Sequence, residues 1–273
     1  MIPLPPNLRV LQVTPGSPAR LDRRDPTDRC GLADKAAARE EQQHFTRELA
    51  LLQNRLRAED GRSLLLVLQG MDASGKDGTI RNVFTGVNPQ GCRVVSFKAP
   101  AGMEAEHDYL WRVHRACPRR GELGIFNRSH YEDVVAVRVR KLVPEHRWRR
   151  RPGHLRDFER LLTDEGTTIV KVFLHISHEE QRHRLQSRLD NPEKRWKFRR
   201  EDLDDRVHWD DYHAAYEEIL TETSTEWAPW YVVPADRKWV RNLVVSELLV
   251  HHLRAMAPEL PTAEADVEHL VVT

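Results

Sequence analysis

The sequence predicts an α/β protein with a mostly parallel five-stranded sheet flanked by helices. Short apolar runs recur along the chain and alternate with segments of helical period. The central runs are unbroken Leu, Val and Ile rather than alternating apolar and polar residues, the pattern of strands covered on both faces. The length, 273 residues, is enough to bury a core between layers.

Residues 1–32 are rich in Pro, Arg and Asp without a sustained period. They read as an N-terminal arm that lies on the domain or is partly mobile. From Asp34 to Gly61 there is no proline, and Phe45, Leu49, Leu52 and Leu56 fall at helical spacing. This predicts a helix that Gly61 stops. LLLVLQ at 64–69 predicts a buried strand, with Thr79 to Phe84 on the helix after it. CRVVSFKAP at 92–100 predicts a second strand, 104–116 a helix stopped by Pro118, and ELGIF at 122–126 a third strand. TTIVKVFLHI at 167–176 predicts the fourth, and Ser177 and Glu180 have the spacing of a capping box for the next helix. WYVV at 230–233 predicts the fifth, followed by a helix from Lys238 to Met256. The main domain is thus expected over 33–257, with a lid at about 186–212 between the last two strands. An acidic tail, 258–273, has four acids and no Lys or Arg.

Forty-three basic and 42 acidic residues leave a net charge of +1, which excludes a globally basic nucleic-acid coat but not a local basic groove. Cys30, Cys92 and Cys117 are odd in number, widely separated and without a CxxC pair, which argues against a disulfide framework or a zinc knuckle. The N-terminus lacks the apolar core of a signal peptide, and no apolar run reaches membrane-spanning length. A cytoplasmic protein without membrane or nucleic-acid partners is expected. The charge is uneven: 138–160 hold nine Arg and Lys against three acids, and 182–200 hold eight against two. Each segment alone fits a solvated face. The two together, around one phosphate site, suit an anion longer than a nucleotide.

That site is predicted at Gly70-Met71-Asp72-Ala73-Ser74-Gly75-Lys76-Asp77-Gly78, between a strand and a helix, with the G-x-x-x-x-G-K spacing of a phosphate-binding loop. Glycines let successive amides turn inward, the helix N-terminus adds positive potential, and Lys76 supplies a mobile charge to the outer phosphates. The residue after the lysine is usually Ser or Thr; here it is Asp77, and Asp72 lies inside the loop. Carboxylates beside phosphate repel unless a cation lies between, so a hard divalent ion held partly by Asp72 is expected. Asp77 serves equally as an acid in the first turn of the helix.

A second constellation, FNRSHYED at 126–133, follows the third strand and so faces the first loop at the strands' carboxyl ends. Arg128 suits a transferred phosphoryl group, and Glu132 or Asp133 a metal or the acceptor. Ser129 and Glu132 also have capping-box spacing. A third, RLDNPEKRWK at 188–197 with Asp202, Asp205, Arg206, Trp209 and Tyr212 beyond, mixes cations with aromatics as a closing segment would. Trp196 and Trp209 serve equally as core anchors. A fourth, PADRK at 234–238 with Trp239 and Arg241 beyond, borders a nucleotide or supplies Asp236 as a helix cap.

GMDASGKDG, FNRSHYEDV, RLDNPEKRWKF with DLDDRVHWDDY, and WYVVPADRKWVRN occur in this order, and together the chain resembles the polyphosphate kinase 2 family over about residues 34–256. The resemblance implies a P-loop kinase fold with a helical lid. It implies phosphoryl transfer from inorganic polyphosphate to AMP or ADP, with GMP and GDP as further acceptors, using magnesium or alternatively manganese. It further implies a homo-oligomer, a dimer or tetramer. Asp72 would help coordinate the metal, Lys76 would hold phosphates and Arg128 would stabilise the transferred group. Ala73, Ser74, Gly75, Asp77, Gly78, Arg81 and Lys98 would contact nucleotide or polyphosphate. Arg188, Asn191, Lys194, Lys197 and Arg206 would line the lid and its channel. Members favouring diphosphates tend to read Phe-Asp-Arg-Ser-Trp-Tyr-Asn at the second motif. Here Asn127 and Glu132 exchange the carboxylate's place. That resembles the subgroup acting on mono- and diphosphates, with Glu132 or Asp133 completing the metal shell. The alternative is an ATP-dependent small-molecule kinase on the same fold, which leaves the two basic segments without a purpose.

Overall fold

Strand β1, Ser63–Gln69, is buried at every residue and is the centre of the sheet. Its neighbours are β3 (Leu123–Asn127) on one side and β4 (Thr167–His175) on the other. Strands β2 (Cys92–Ser96) and β5 (Trp230–Pro234) complete the order β2-β3-β1-β4-β5, and all four pairings are parallel. The computed structural model describes residues 3–265 and 267.

The alternation of side chains along β1 splits the core in two. Leu64, Leu66 and Leu68 face one cluster, built with α2 (Lys35–Glu59), α3 (Lys76–Val83) and α12 (Lys238–Met256). Leu65 and Val67 face the other, built with α5 (Trp111–Ala116), α6 (Glu132–Val139), α8 (Arg151–Asp164) and α11 (Trp209–Thr223). An unbroken apolar strand is what this arrangement demands. The remaining helices are α1 (Pro6–Arg9), α4 (Met103–Glu106), α7 (Glu145–Trp148), α9 (His178–Asp190) and α10 (Glu201–Val207). Among the described residues no helix is long and apolar enough to cross a membrane, and the three cysteines are free thiols.

The N-terminal arm lies on the domain. Leu8, Leu11, Val13, Ala19 and Leu21 are buried, and Gln12 forms an antiparallel bridge with Tyr231 along the outer edge of β5. The Arg24 guanidinium gathers the carbonyls of Val10, Leu11, Gln12 and Ala19, which closes the arm on itself.

Four expectations change. Strand β2 stops at Ser96, short of the expected end at residue 100. Helix α2 ends one residue before the expected stop: Asp60 takes the left-handed cap conformation, with φ 50°, in place of Gly61. The helix expected over 104–116 is two short helices, because His107 and Asp108 leave the helical path and the Asp108 carboxylate takes the amide of Leu110. Ser177 caps the Glu180 amide as expected, but its own amide goes to Asp236 rather than to Glu180, so half of the capping box forms. Of the acidic tail, 258–265 form no regular element, and residues 266 and 268–273 lie outside the described residues.

Candidate active site

The carboxyl ends of β1 and β3 meet in one cleft. It is lined by Gly70, Met71 and Asp72 of the phosphate loop and by Arg128, Glu132 and Asp133 of the second motif. Residues 97–100, Arg112, Arg140, Gln181, Asp205, Tyr212 and Tyr216 also line it, with Ala136, Val137 and Leu142. The strand order puts β1 and β3 side by side, so Asp72 and Arg128, 56 positions apart in sequence, become neighbours.

Asp72 Oδ1 accepts from Arg128 Nη2 at 2.7 Å. Burial pushes the Asp72 carboxyl up, but Arg128, Lys76, Arg188 and Arg140 outweigh it and leave it below the usual carboxylate range. Lys76 is buried, and its Nζ bends back to Gly70 O at 2.7 Å and Met71 O at 3.4 Å. Burial and the nearby Arg128 bring its ammonium down to about 8, against the pull of Asp72, Glu132 and Asp77. Glu132 is pushed up by burial, which Arg128 and Lys76 only partly offset. In the amide orientation that satisfies both neighbours, Gln69 donates to Glu132 Oε1 at 2.9 Å and accepts from Ser129 Oγ at 2.9 Å. The Arg128 guanidinium is held charged, first by Glu132 and then by Asp72, against burial. Arg128 also sits at φ 62°, a left-handed conformation that an L-residue keeps only when its surroundings enforce it.

The acidic residues divide in role. Asp133 points to the buried Arg112, at 3.1 Å, and burial raises its carboxyl while Arg112 pulls it down. Asp77 Oδ1 accepts from Asn127 Nδ2 at 2.6 Å, which ties the start of α3 to the end of β3. Asp72 and Glu132 are the carboxylates whose charge acts most on Arg128, and Asp133 lines the same cleft. Among the described residues no group of three or more His, Cys, Asp or Glu forms a ready-made metal cage. Two carboxylates completed by substrate phosphates and water are the donor set a hard, octahedral cation prefers, so the residues fit a divalent ion of that kind.

The loop residues Ala73, Ser74, Gly75 and Gly78 lie where the spacing placed them, at the entry to α3. Lys98 reaches the cleft wall, but Arg81 is exposed on α3 and does not line the cleft. Arg188 is 3.6 Å from Asp202. Arg206 donates to His178 O and Gln181 Oε1. Asn191 Oδ1 accepts from the Glu193 amide in a local turn. Lys194 and Lys197 are exposed, the latter over the Trp196 ring. Trp196 itself is exposed, while Trp209 packs on the second core cluster, so only the second tryptophan is an anchor. Ser129 does not start α6; its hydroxyl serves Gln69 and the Tyr131 amide. Asp236 does not cap α12 and instead binds the amide and hydroxyl of Ser177.

Of the first basic segment only Arg140 lines the cleft, paired with Asp205 and Tyr212. Arg138, Arg149 and Arg160 pair with acids on the surface, as a solvated face would. Sequence reasoning missed Arg112, Gln181, Arg184 and Tyr216. Each lies on a helix without motif-like spacing, so no local pattern marks it.

A family profile described as polyphosphate kinase 2 matches residues 32–261. The chain is 55% identical over 266 residues to the AMP/ADP-polyphosphate phosphotransferase of Meiothermus ruber, covering 97% of this chain and 100% of that one. It is 47% identical over 225 residues to the ADP-polyphosphate phosphotransferase of Rhodopseudomonas palustris, covering 78% of each. Among solved structures it is similar to a polyphosphate kinase 2 from Arthrobacter aurescens TC1, with a TM-score of 0.92 and 42% identity, covering 96% of this chain and 94% of that one.

Proposed function

The chain belongs to the polyphosphate kinase 2 family, and from that premise we infer that it transfers phosphoryl groups from inorganic polyphosphate to AMP and ADP. The observation that carries this most is the 55% identity, over the whole of that relative, with an AMP/ADP-polyphosphate phosphotransferase. The alternative of an ATP-dependent small-molecule kinase is not favoured, because the matched relatives are named for polyphosphate.

The chemistry suits the cleft. A phosphate oxygen of AMP or ADP attacks the terminal phosphorus of the chain. The new P–O bond forms in line as the anhydride bond breaks, and the chain leaves one phosphate shorter. The attacking oxygen is ionised at neutral pH, so no general base is required. The barrier then falls through positioning and charge neutralisation. In this reading the 70–78 loop and Lys76 hold the donor, and Arg128 bridges the group in transit. A divalent cation, magnesium or manganese, held by Asp72 and Glu132, supplies further charge neutralisation when bound. Asp133 acts through Arg112. For the donor, Lys76 must leave the Gly70 carbonyl, while Asp72 keeps a second carboxylate oxygen beside the one that Arg128 engages. The residues of 186–212 form the lid. A dimer or tetramer in the cytoplasm belongs to the same proposal.

The test is a transfer assay. With magnesium, long-chain polyphosphate and no ATP, AMP should yield ADP and ADP should yield ATP; GMP and GDP are assayed beside them. Lys76→Ala should lower kcat by about 10²–10³-fold, the scale of removing one charge-stabilising donor, while the melting temperature is retained. Absence of product from AMP and ADP, or product only when ATP is added, would refute the assignment.

A further inference from the structure

Two arginines outside the cleft lining converge on the back of the phosphate loop. Arg184, on α9, donates Nη1 to the carbonyls of Ala73 at 3.0 Å and Ser74 at 2.9 Å. Its other donors hold Ala235 O, Asp236 O and Glu180. Arg241, in the first turns of α12, donates Nη1 to the same Ser74 carbonyl at 3.2 Å, and its remaining bonds go to Asn242 Oδ1. Arg241 is 2% exposed. Among the described residues it makes no ion pair with a carboxylate. A buried guanidinium without a counter-charge is costly, and burial together with Arg184 lowers it to about 9.

The loop is shaped to admit it. Gly75 has φ 105°, and a Cβ there would stand 1.9 Å from Arg241 Nη1. One peptide carbonyl, that of Ser74, thus receives two cationic donors. In a trans peptide the carbonyl and the following N–H point in opposite directions, so fixing Ser74 O toward the arginines aims the Gly75 amide the other way. Polarising the carbonyl also strengthens that amide as a donor. The first amides of α3 have no partner within the helix and face the same anion site.

We propose that Arg184 and Arg241 are positioning residues for the phosphate donor: they hold the Ser74 carbonyl outward and so fix the Gly75 amide, with a surplus of positive charge, toward the phosphate chain. The acceptor nucleotide does not depend on them. This rests on the placement of the donor proposed above.

The experiment separates the two substrates. Arg241→Met, Arg241→Lys and Arg184→Gln are compared with the unaltered protein in two measurements: KM for polyphosphate and for AMP, and calorimetric titration of inorganic tripolyphosphate without acceptor. Arg241→Met should raise the donor KM and the tripolyphosphate Kd roughly ten- to hundredfold, the scale of a lost charge-assisted hydrogen bond, and leave the AMP KM unchanged. Arg241→Lys should fall between the two. If Arg241→Met does not fold, Arg184→Gln reads the same carbonyl by the same criteria. An unchanged tripolyphosphate Kd, or an equal rise in both KM values, overturns the inference. Failure of the unaltered protein to use polyphosphate would instead refute the functional assignment, and the titration would still decide the role of the arginines.

Discussion

At the scale of single residues, the site depends on backbone conformations that few side chains accept. Ala73 and Arg128 both have positive φ, and Gly75 lies at φ 105° with a guanidinium occupying the space of its missing side chain. Gly75→Ala should therefore destabilise the protein by about 1–3 kcal/mol from backbone strain and also displace Arg241. Urea denaturation and the polyphosphate KM should both worsen; an unaltered midpoint would show that the loop relaxes without cost. The phosphate loop was legible in the sequence because its chemistry is local: nine consecutive residues carry both the turn and the charge. The Ser74 carbonyl's partners were not, because Arg184 and Arg241 lie 110 and 167 positions away. The choice between Glu132 and Asp133 was open in the sequence for a similar reason: both line the cleft, and only the fold shows that Arg112 pairs with the second.

At the scale of elements, the loop from β3 to α6 carries Arg128, leads into Glu132 at the start of α6, and needs an anchor. Its buried side is Ser129, His130 and Tyr131. Tyr131 donates to Glu159 Oε1 at 2.7 Å, and His130 Nε2 lies 3.3 Å from the same oxygen. Lys171, from the middle of β4, reaches Glu159 Oε2 and Thr223 O, each at 2.6 Å, and Tyr131 at 3.0 Å. Lysine and glutamate are each at most 1% exposed, so losing either partner strands a charge. Lys171→Met and Glu159→Leu should each cost about 3–5 kcal/mol, and the double variant less than their sum. Equilibrium unfolding of the three variants checks this, and strict additivity would argue that the pair is not coupled. Lys171 interrupts an otherwise apolar run, TTIVKVFLHI. That one lysine was the visible sign of a buried network, but its partners on α8 and the motif loop were not readable from the strand itself. The helix break at 107–110 escaped notice likewise, since His107 and Asp108 sit within a segment free of Gly and Pro.

At the scale of the whole molecule, the near-zero net charge conceals a division between a basic, phosphate-facing region and surface arginines already paired. Acid should loosen this fold through histidines that it buries. His175, packed beneath the arm with Nε2 3.0 Å from Arg24 O, is lowered to about 4 by burial and then by His213. His252 is lowered to about 4 by burial and then by His251. Between pH 4 and their ordinary value of 6.5 the unfolded chain binds more protons than the folded one, so stability rises with pH across that window and is lost as pH falls through it. Replacing His175 by Asn should flatten the slope of stability against pH between 4 and 6.5; an unchanged slope would place the acid sensitivity elsewhere. The sheet and its helices were legible because fully buried parallel strands read as apolar runs, whereas the packing of the arm along β5 was not, since Leu8, Leu11 and Val13 show no period among prolines and charges.

The mechanism depends most on the placement of the donor on the 70–78 loop. A structure determined with magnesium and a short polyphosphate chain would show it directly. The phosphates should occupy the turn of residues 70–78, with the Lys76 ammonium moved from the Gly70 carbonyl onto the chain. A chain bound away from that turn, with Lys76 still on the Gly70 carbonyl, would contradict the account.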